Sequence, residues 1–482
     1  MLEYATKELY EELDKKAEEM RNAILATKTD VTYTGKAHYV ANDGNDENDG
    51  LTPETAWKTN ARVSTAELCE GDAVFFKRGD LFRGQLKTKP GVTYSAYGEG
   101  DKPKIYSYHE NAAIPEKWEL YNKELNIWRY KDPMLDSGTI VFNEGEHVGL
   151  KEIPSFIDGE FRVRKEPEKK YVFEEHLTKE FMFFQDNCGK LNPAGKPCPG
   201  DPANNNGYLY LKFSGGNPGE VFDSIEFLPK FNLVQIGGDN IHIDNLCIRY
   251  AGAHGIGSGT VDGLCVTNCE IGWIGGTIQF YSSETGHVVR YGNGVEIYGG
   301  CHNYTISNCW IYECYDAGVT HQVQARERHL DMFDVTYSDN LIEKCVYNIE
   351  YFLSRLTPEN TCTMKNFIIK NNFLRFSGFG WGRQRPGHAN AHIKGWDADN
   401  PAINYVIENN ILDRATDMMI HIGYNRGEDP ILKNNTYIQY PNAQFGRIGK
   451  APTDLVTYDI ERIDKIAAEK FFDEGGKFYI AY

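Results

Sequence analysis

Asn245-Leu246-Cys247-Ile248, Asn268-Cys269-Glu270-Ile271 and Asn308-Cys309-Trp310-Ile311 are one phrase written three times. It returns in looser form at Asn340-Leu341-Ile342, Asn372-Phe373-Leu374, Asn410-Ile411-Leu412 and Asn435-Thr436-Tyr437-Ile438. The intervals are 23, 40, 32, 32, 38 and 25 residues. A unit of roughly 23–25 residues, sometimes lengthened by a loop, is the mark of a solenoid. Short period-2 strands punctuated by Gly, Asn and Asp make each unit one coil of a parallel β-helix. Stacked coils set equivalent residues about 4.8 Å apart, so a repeat that aligns apolar residues also aligns chemistry.

Working outward, the repeat predicts a main parallel β-helix over 231–450, with first coils over 31–106. Residues 107–230 interrupt the pattern with KWELYNKELNIWRYKD and FRVRKEPEKKYVFEEH and are expected to form an inserted β-rich subdomain. Residues 1–30 carry Leu2, Ala5, Leu9, Leu13, Met20 and Ile24 on one face, an amphipathic helix expected to cap an end or dock on a flank. Residues 451–482 contain IERIDKIAAEKFF, which stops at Gly475-Gly476 and is expected to be a C-terminal helix and cap. The fold class is thus all-β, with terminal capping helices.

The chain has 482 residues and a net charge of −18, which disfavours nucleic acid and anionic membranes as partners. No apolar run reaches membrane-spanning length. Residues 1–30 lack the apolar core of a signal peptide, so a cytoplasmic protein is expected unless a leader precedes Met1. Aromatics make up 13% of the chain, a load suited to stacking on sugars and equally to filling a solenoid interior. Of the eleven Cys, Cys247, Cys269, Cys309 and Cys345 fall on strand positions and read as small buried residues. Cys188 and Cys198 share one Pro/Gly loop and are the one pair placed to bridge or bind metal, though two loop thiols is the simpler reading. The acidic stretch Asp43 to Asp49 places Ala56 where a calcium loop needs a bidentate Glu, and reads as a hydrogen-bonded turn.

Aligning the strand before each Asn phrase puts Ile278, Val295, Val319, Ile349, Ile393 and Ile420 in one inward column. The following residue then points outward by alternation. That outward column is Gln279, Glu296, Thr320, Glu350, Lys394 and His421, flanked by Tyr298, His321, Gln322, Phe352 and Trp396. Glu296 and Glu350, two coils apart, make the expected carboxylate pair of a glycoside hydrolase, one donating a proton to the leaving oxygen and the other attacking the anomeric carbon or activating water. Asp316 and, more weakly, Glu270 are further carboxylates for this role. Basic and aromatic residues gather nearby: Arg249, Tyr250 and His254; Arg326, Arg328 and His329; then Trp381, Arg383, Arg385, His388, His392 and Lys394. Their guanidinium groups suit sugar hydroxyls or carboxylates, and their rings suit pyranose faces. The predicted substrate-binding set is Gln279, Tyr298, Thr320, His321, Gln322, Arg385, His392, Lys394, Trp396 and His421. No metal or cofactor is expected; the expected partner is an oligosaccharide or polysaccharide.

With these residues in view, the chain resembles the right-handed parallel β-helix superfamily of carbohydrate-active enzymes. The opening phrase YVANDGNDENDGLTPETAW, followed by CEGDAVFFKRGDLF, is similar to the entry segment of many members, and the coils from Asn245 to Asn435 match the repeat. The insertion before the main coils resembles β-helix glycoside hydrolases of the β-xylosidase and fucosidase/xylanase type. The acidic and His-Gly motifs of polygalacturonases are missing, with only Ala253-His254-Gly255 similar, and so is the paired Arg pattern of pectate lyases. The resemblance therefore implies architecture and a carbohydrate substrate of plant type, not catalytic residues. Two other functions fit the same residues. One is a polysaccharide lyase or uronate epimerase, with Lys394 or His392 as base and Arg383 or Arg385 neutralising a carboxylate. The other is a non-catalytic carbohydrate-binding solenoid.

Overall fold

The computed structural model describes residues 2–157, 160–187, 206–281, 288–325, 330–355, 362–385, 389–396, 402–422, 429–448, 456–457 and 473–482. Each coil contributes one strand to each of three sheets. In one full turn, Ala317–Ala325 belongs to what we term the site sheet. Leu330–Ser338 follows in the long-strand sheet, then Leu341–Glu343 in the helix-covered sheet, before Tyr347–Arg355 re-enters the site sheet one rung on. Among the described residues the three sheets have ten, eleven and eleven strands, and their rungs pair in parallel along the solenoid except where Val456–Thr457 closes the site sheet antiparallel to Gln444–Ile448.

The inward column is a register fact. Val295 pairs with Val319, Val319 with Ile349, Ile349 with Ile393 and Ile393 with Ile420, all fully buried. Each such aliphatic contributes roughly 1.5–3 kcal/mol by leaving water. Cys269, Cys309 and Cys345 are free thiols in the solenoid core, placed in turns beside the strands and not in them, whereas Cys247 is buried on the outer face of its strand beside Glu270.

The Asn phrase needs a correction of one residue in its later copies. Cys247, Glu270, Trp310, Leu341, Phe373, Ile411, Thr436 and Lys477 form one continuous rung series. Two residues before each stands Asn245, Asn268, Asn308, Asp339, Asn371, Asn409, Asn434 and Gly475, every one at positive φ. Asn and Asp tolerate this left-handed turn better than other side chains, short of Gly. Asn340, Asn372, Asn410 and Asn435 sit one place later and do something else. Each Oδ1 accepts the backbone N–H of the preceding rung, from Cys309, Asn340, Asn372 and Asn410 at 2.9–3.1 Å. Their Nδ2 groups donate to backbone carbonyls at 2.8–3.0 Å. The ladder ends where Asn435 Nδ2 donates to Asp473, 2.7 Å away.

The first helix, Lys7–Leu25, is a flank helix and not an end cap. Thr6 caps its start by accepting from Leu9 N. Leu13, Ala17 and Ile24 pack on Leu341, Phe373 and Ile438 of the helix-covered sheet. The end-capping part is Leu2–Tyr4, which adds a final parallel strand beside Phe478–Ile480. The predicted helix within 451–482 and the Cys188/Cys198 loop lie outside the described residues. The acidic turn is closed by its own hydrogen bonds: Asp46 accepts from Lys58 N and Thr59 N, and Asp49 from Leu51 N.

Residues 107–230 leave the solenoid after Lys104–Tyr106 and return before Val234–Gln235. They build three small sheets around their own core of Trp118, Tyr130, Phe183, Leu211 and Phe227. Buried Asp136 ties this unit to the solenoid. It pairs with Lys151 of the insert and accepts from Ile278 N, 2.7 Å away.

Candidate active site

Along the site sheet, Glu296 pairs with Thr320, Thr320 with Glu350, Glu350 with Lys394 and Lys394 with His421. Two rung spacings separate the Glu296 and Glu350 backbones, about 9–10 Å. Gln279 does not belong to this column. The strand preceding Glu296 in the sheet is Ile256–Ser258, which places Gly257 beside Glu296. Ile278–Tyr281 instead forms an antiparallel hairpin with Val288–Arg290 that stands off the sheet. The hairpin still brings Gln279 to the site, as a wall residue.

A cavity of about 370 Å³ opens over the column, with Glu296, Asp316 and Glu350 all in its lining. Gln279, Tyr298, Gln322 and Arg385 line it as well, joined by His254, Asn293, Phe280, Tyr291 and Phe352. Phe280 and Tyr298 are 46% and 43% exposed, large apolar faces held at the mouth of a polar cavity. Thr320 is fully buried between the two Glu rungs, and its hydroxyl accepts from Gln322 Nε2 at 3.3 Å.

His254 has the best-defined role around Glu296. The backbone N–H of Asn293 donates to His254 Nδ1 at 3.3 Å, so Nδ1 is the acceptor nitrogen and Nε2 carries the proton. That Nε2 lies 3.3 Å from Glu296 Oε1, and Asn293 Nδ2 donates to Glu296 Oε2. Asn293 Oδ1 is fixed in turn by Ala317 N at 2.9 Å. Two donors therefore converge on the Glu296 carboxylate. Glu350 accepts from Gln322 Nε2 at 2.9 Å. Asp316 is ion-paired with Arg385. Burial alone would lower the Arg385 pKa, but the Asp316 carboxylate raises it above its ordinary value and keeps the guanidinium charged.

The other predicted residues divide. Lys394 and His421 continue the column, with Lys394 Nζ against His421 Nδ1. Burial, reinforced by Lys394 and Arg447, lowers the His421 pKa to about 3. His321 faces the core, as alternation next to Thr320 requires. Its Nδ1 lies 2.8 Å from the Tyr337 hydroxyl, its ring is stacked on Tyr351, and burial lowers its pKa to about 3. His392 is also interior. The strand bends at this rung: Tyr347 and Ala391 join an outer cluster with Ala317 and Met418, while Ile349 and Ile393 face the core. His392 turns into the corner between them, 2.9 Å from Asn348 Nδ2, with its pKa lowered by burial to about 3. From there it cannot serve as a base toward substrate. Arg249 pairs with Glu270 on the helix-covered sheet, which removes Glu270 from the site. Arg383 lines a separate groove with Trp273 and Phe379. The Trp396 side chain, Arg326, Arg328, His329 and His388 lie outside the described residues.

Sequence reading missed Asn293, Tyr291 and Arg290, which occupy turns or the hairpin and have no periodic signal. His254 was visible as one of the basic and aromatic residues near the strip and as the middle of Ala253-His254-Gly255, but not as a partner of Glu296.

Sequence comparison finds no family model and no curated protein that matches the chain. Solved structures overlap it loosely. XylC in complex with xylose gives a TM-score of 0.41 at 14% identity, covering 92% of this chain and 82% of that one. A structure titled glycoside hydrolase gives 0.40 at 9% identity, covering 93% and 97%. A GH136 lacto-N-biosidase from Eubacterium ramulus gives 0.36 at 13%, covering 98% and 71%. None of these overlaps assigns a residue of this chain. The strand pairings themselves define its class: a parallel β-helix, right-handed as its parallel crossovers dictate, with an inserted β subdomain.

Proposed function

We propose that this protein is a glycoside hydrolase whose catalytic pair is Glu296 and Glu350. The observation that carries the reading is the convergence of carboxyl groups from three successive coils on one cavity rimmed by exposed aromatic rings. Glu296 is the carboxylate that takes a proton from water, because His254 and Asn293 both donate to it. Glu350 protonates the leaving oxygen, since Asp316 is committed to Arg385. A rung separation of about 9–10 Å lets the two carboxyl groups stand roughly 5–9 Å apart, a range that includes the wider spacing an attacking water and inversion require. Phe280, Tyr298 and Phe352 suit the faces of the sugar ring. The XylC structure is titled as a complex with xylose, which makes pentosides the first substrates to try.

The test is a panel of aryl and natural glycosides followed by NMR of the newly released sugar. Glu296→Gln should lose activity on all of them. Glu350→Gln should lose natural glycosides but keep much of its rate on a dinitrophenyl glycoside, whose leaving group needs no protonation. Retained configuration in the product, or full activity of either variant, would overturn the assignment.

A further inference from the structure

A second cavity of about 640 Å³ lies between the inserted subdomain and the solenoid. It shares Val289, Arg290 and Arg385 with the carboxylate cavity, so the two are compartments of one cleft. The insert supplies the far wall, including Ile153, Arg164 and Tyr171. The residue at the junction is Arg290, at the end of the hairpin strand Val288–Arg290.

Arg290 is held by two backbone carbonyls and an aromatic ring. Its Nε donates to Gly276 O at 2.6 Å and its Nη2 to Gly138 O at 3.0 Å. Its guanidinium lies 4.0 Å over the Tyr315 ring. Among the described residues no carboxylate is within ion-pair distance of it. The adjoining cations differ: Lys151 is paired with Asp136, and Arg385 with Asp316. Glu152, in the same wall, has its pKa raised by burial, with Arg164 opposing. Thus a half-buried, oriented positive charge stands at the joint of the cleft in a chain whose net charge is −18. Removing a charge from water without a counter-ion is costly, and a planar guanidinium fork matches a carboxylate. Across the joint a substrate carboxylate would face Glu296 on the solenoid side and Arg164 and Lys165 on the insert wall.

We propose that the insert-side cavity is a subsite for a uronosyl residue and that Arg290 binds its carboxylate. This deepens the glycoside hydrolase reading by naming an acidic oligosaccharide as substrate, and it rests on the same cleft.

Equilibrium binding tests it apart from catalysis. The Glu296→Gln protein is titrated calorimetrically with D-glucuronate and D-galacturonate, and with glucose and galactose as neutral controls, at low and high salt. The uronates should bind at least tenfold more tightly at low salt, with the advantage shrinking as salt rises. Arg290→Gln should erase the advantage while neutral-sugar affinity stays, and Arg290→Lys should keep part of it. Since Arg290 also pins two carbonyls, the wild-type comparison decides the matter should the Gln variant not fold. Equal binding of acidic and neutral sugars, or a preference that survives Arg290→Gln, overturns the proposal. Failure of every glycoside to be cleaved would sink the hydrolase reading and leave this result standing.

Discussion

Two ladders run along the same coils, the Asn ladder between the long-strand and helix-covered sheets and the polar column on the site sheet. In the first, Asn340, Asn372, Asn410 and Asn435 repeat one residue type, and each amide satisfies the backbone of the rung before it. In the second, rungs of the same spacing carry Glu296, Thr320, Glu350, Lys394 and His421, no two adjacent ones alike. Repetition on one corner makes hydrogen bonds that close among themselves. Variation on the site sheet leaves carboxylates that need help from His254, Asn293 and Gln322, all off the column or one step along it. One geometry serves stability where the side chain is constant and chemistry where it changes.

The sharpest way to break this comparison is to disable one rung of each ladder. Glu296→Gln should reduce kcat by about 10³-fold or more, within the span of general acid–base contributions, with the Tm moved by only a degree or two. Steady-state kinetics and differential scanning calorimetry on the same sample would check both halves. A large loss of Tm would mean that the site column is structural after all.

Acid should separate the interior from the site next. His321 and His392 are buried with pKa values lowered to about 3, against 6.5 in the unfolded chain. Between those values the unfolded state binds protons that the folded state refuses. Their contribution is therefore intact above pH 6.5 and is lost as pH falls toward 3. By pH 5 each group costs roughly 2 kcal/mol. Urea unfolding between pH 7 and pH 5 should show the decline, and His321→Gln should make it shallower. An unchanged slope in that variant would contradict the burial argument.

How much of this was legible depended on period. The inward column from Val295 to Ile420 could be read because a strand alternates strictly, and the outward Glu296 and Glu350 followed from it. The same rule misplaced Gln279, because a hairpin strand alternates just as a coil strand does and nothing in Ile278–Tyr281 announces antiparallel pairing. His392 was misread because a bend at Asn348 turns an outward position inward. His254 acts from a turn, where no periodicity constrains direction. Arg290 carries no motif; its meaning comes only from the two carbonyls, the ring and the insert around it.

The smallest effects concern the phrase that first disclosed the fold. Asn371 and Asn372 are neighbours with different tasks, and reading along the chain merged them. Asn372 is 1% exposed; its Oδ1 accepts from Asn340 N and Nδ2, and its Nδ2 donates to Tyr337 O. Asn372→Ala would strand a buried backbone N–H and a buried carbonyl, at about 2–3 kcal/mol. Asn371 instead holds φ at +57° on the surface, with one bond from Nδ2 to Asp339 Oδ1 at 3.1 Å. Asn371→Ala keeps the backbone bonds, gives up the exposed bond to Asp339 and meets the left-handed strain of an L residue, about 1 kcal/mol. Asn371→Gly relieves that strain and should be close to neutral, whereas Asn372→Gly should be no better than Asn372→Ala. Chemical denaturation of the four variants ranks them. If the two positions responded alike to Gly, the one-residue distinction between turn and ladder would be wrong, and the repeat would have a single Asn role instead of two.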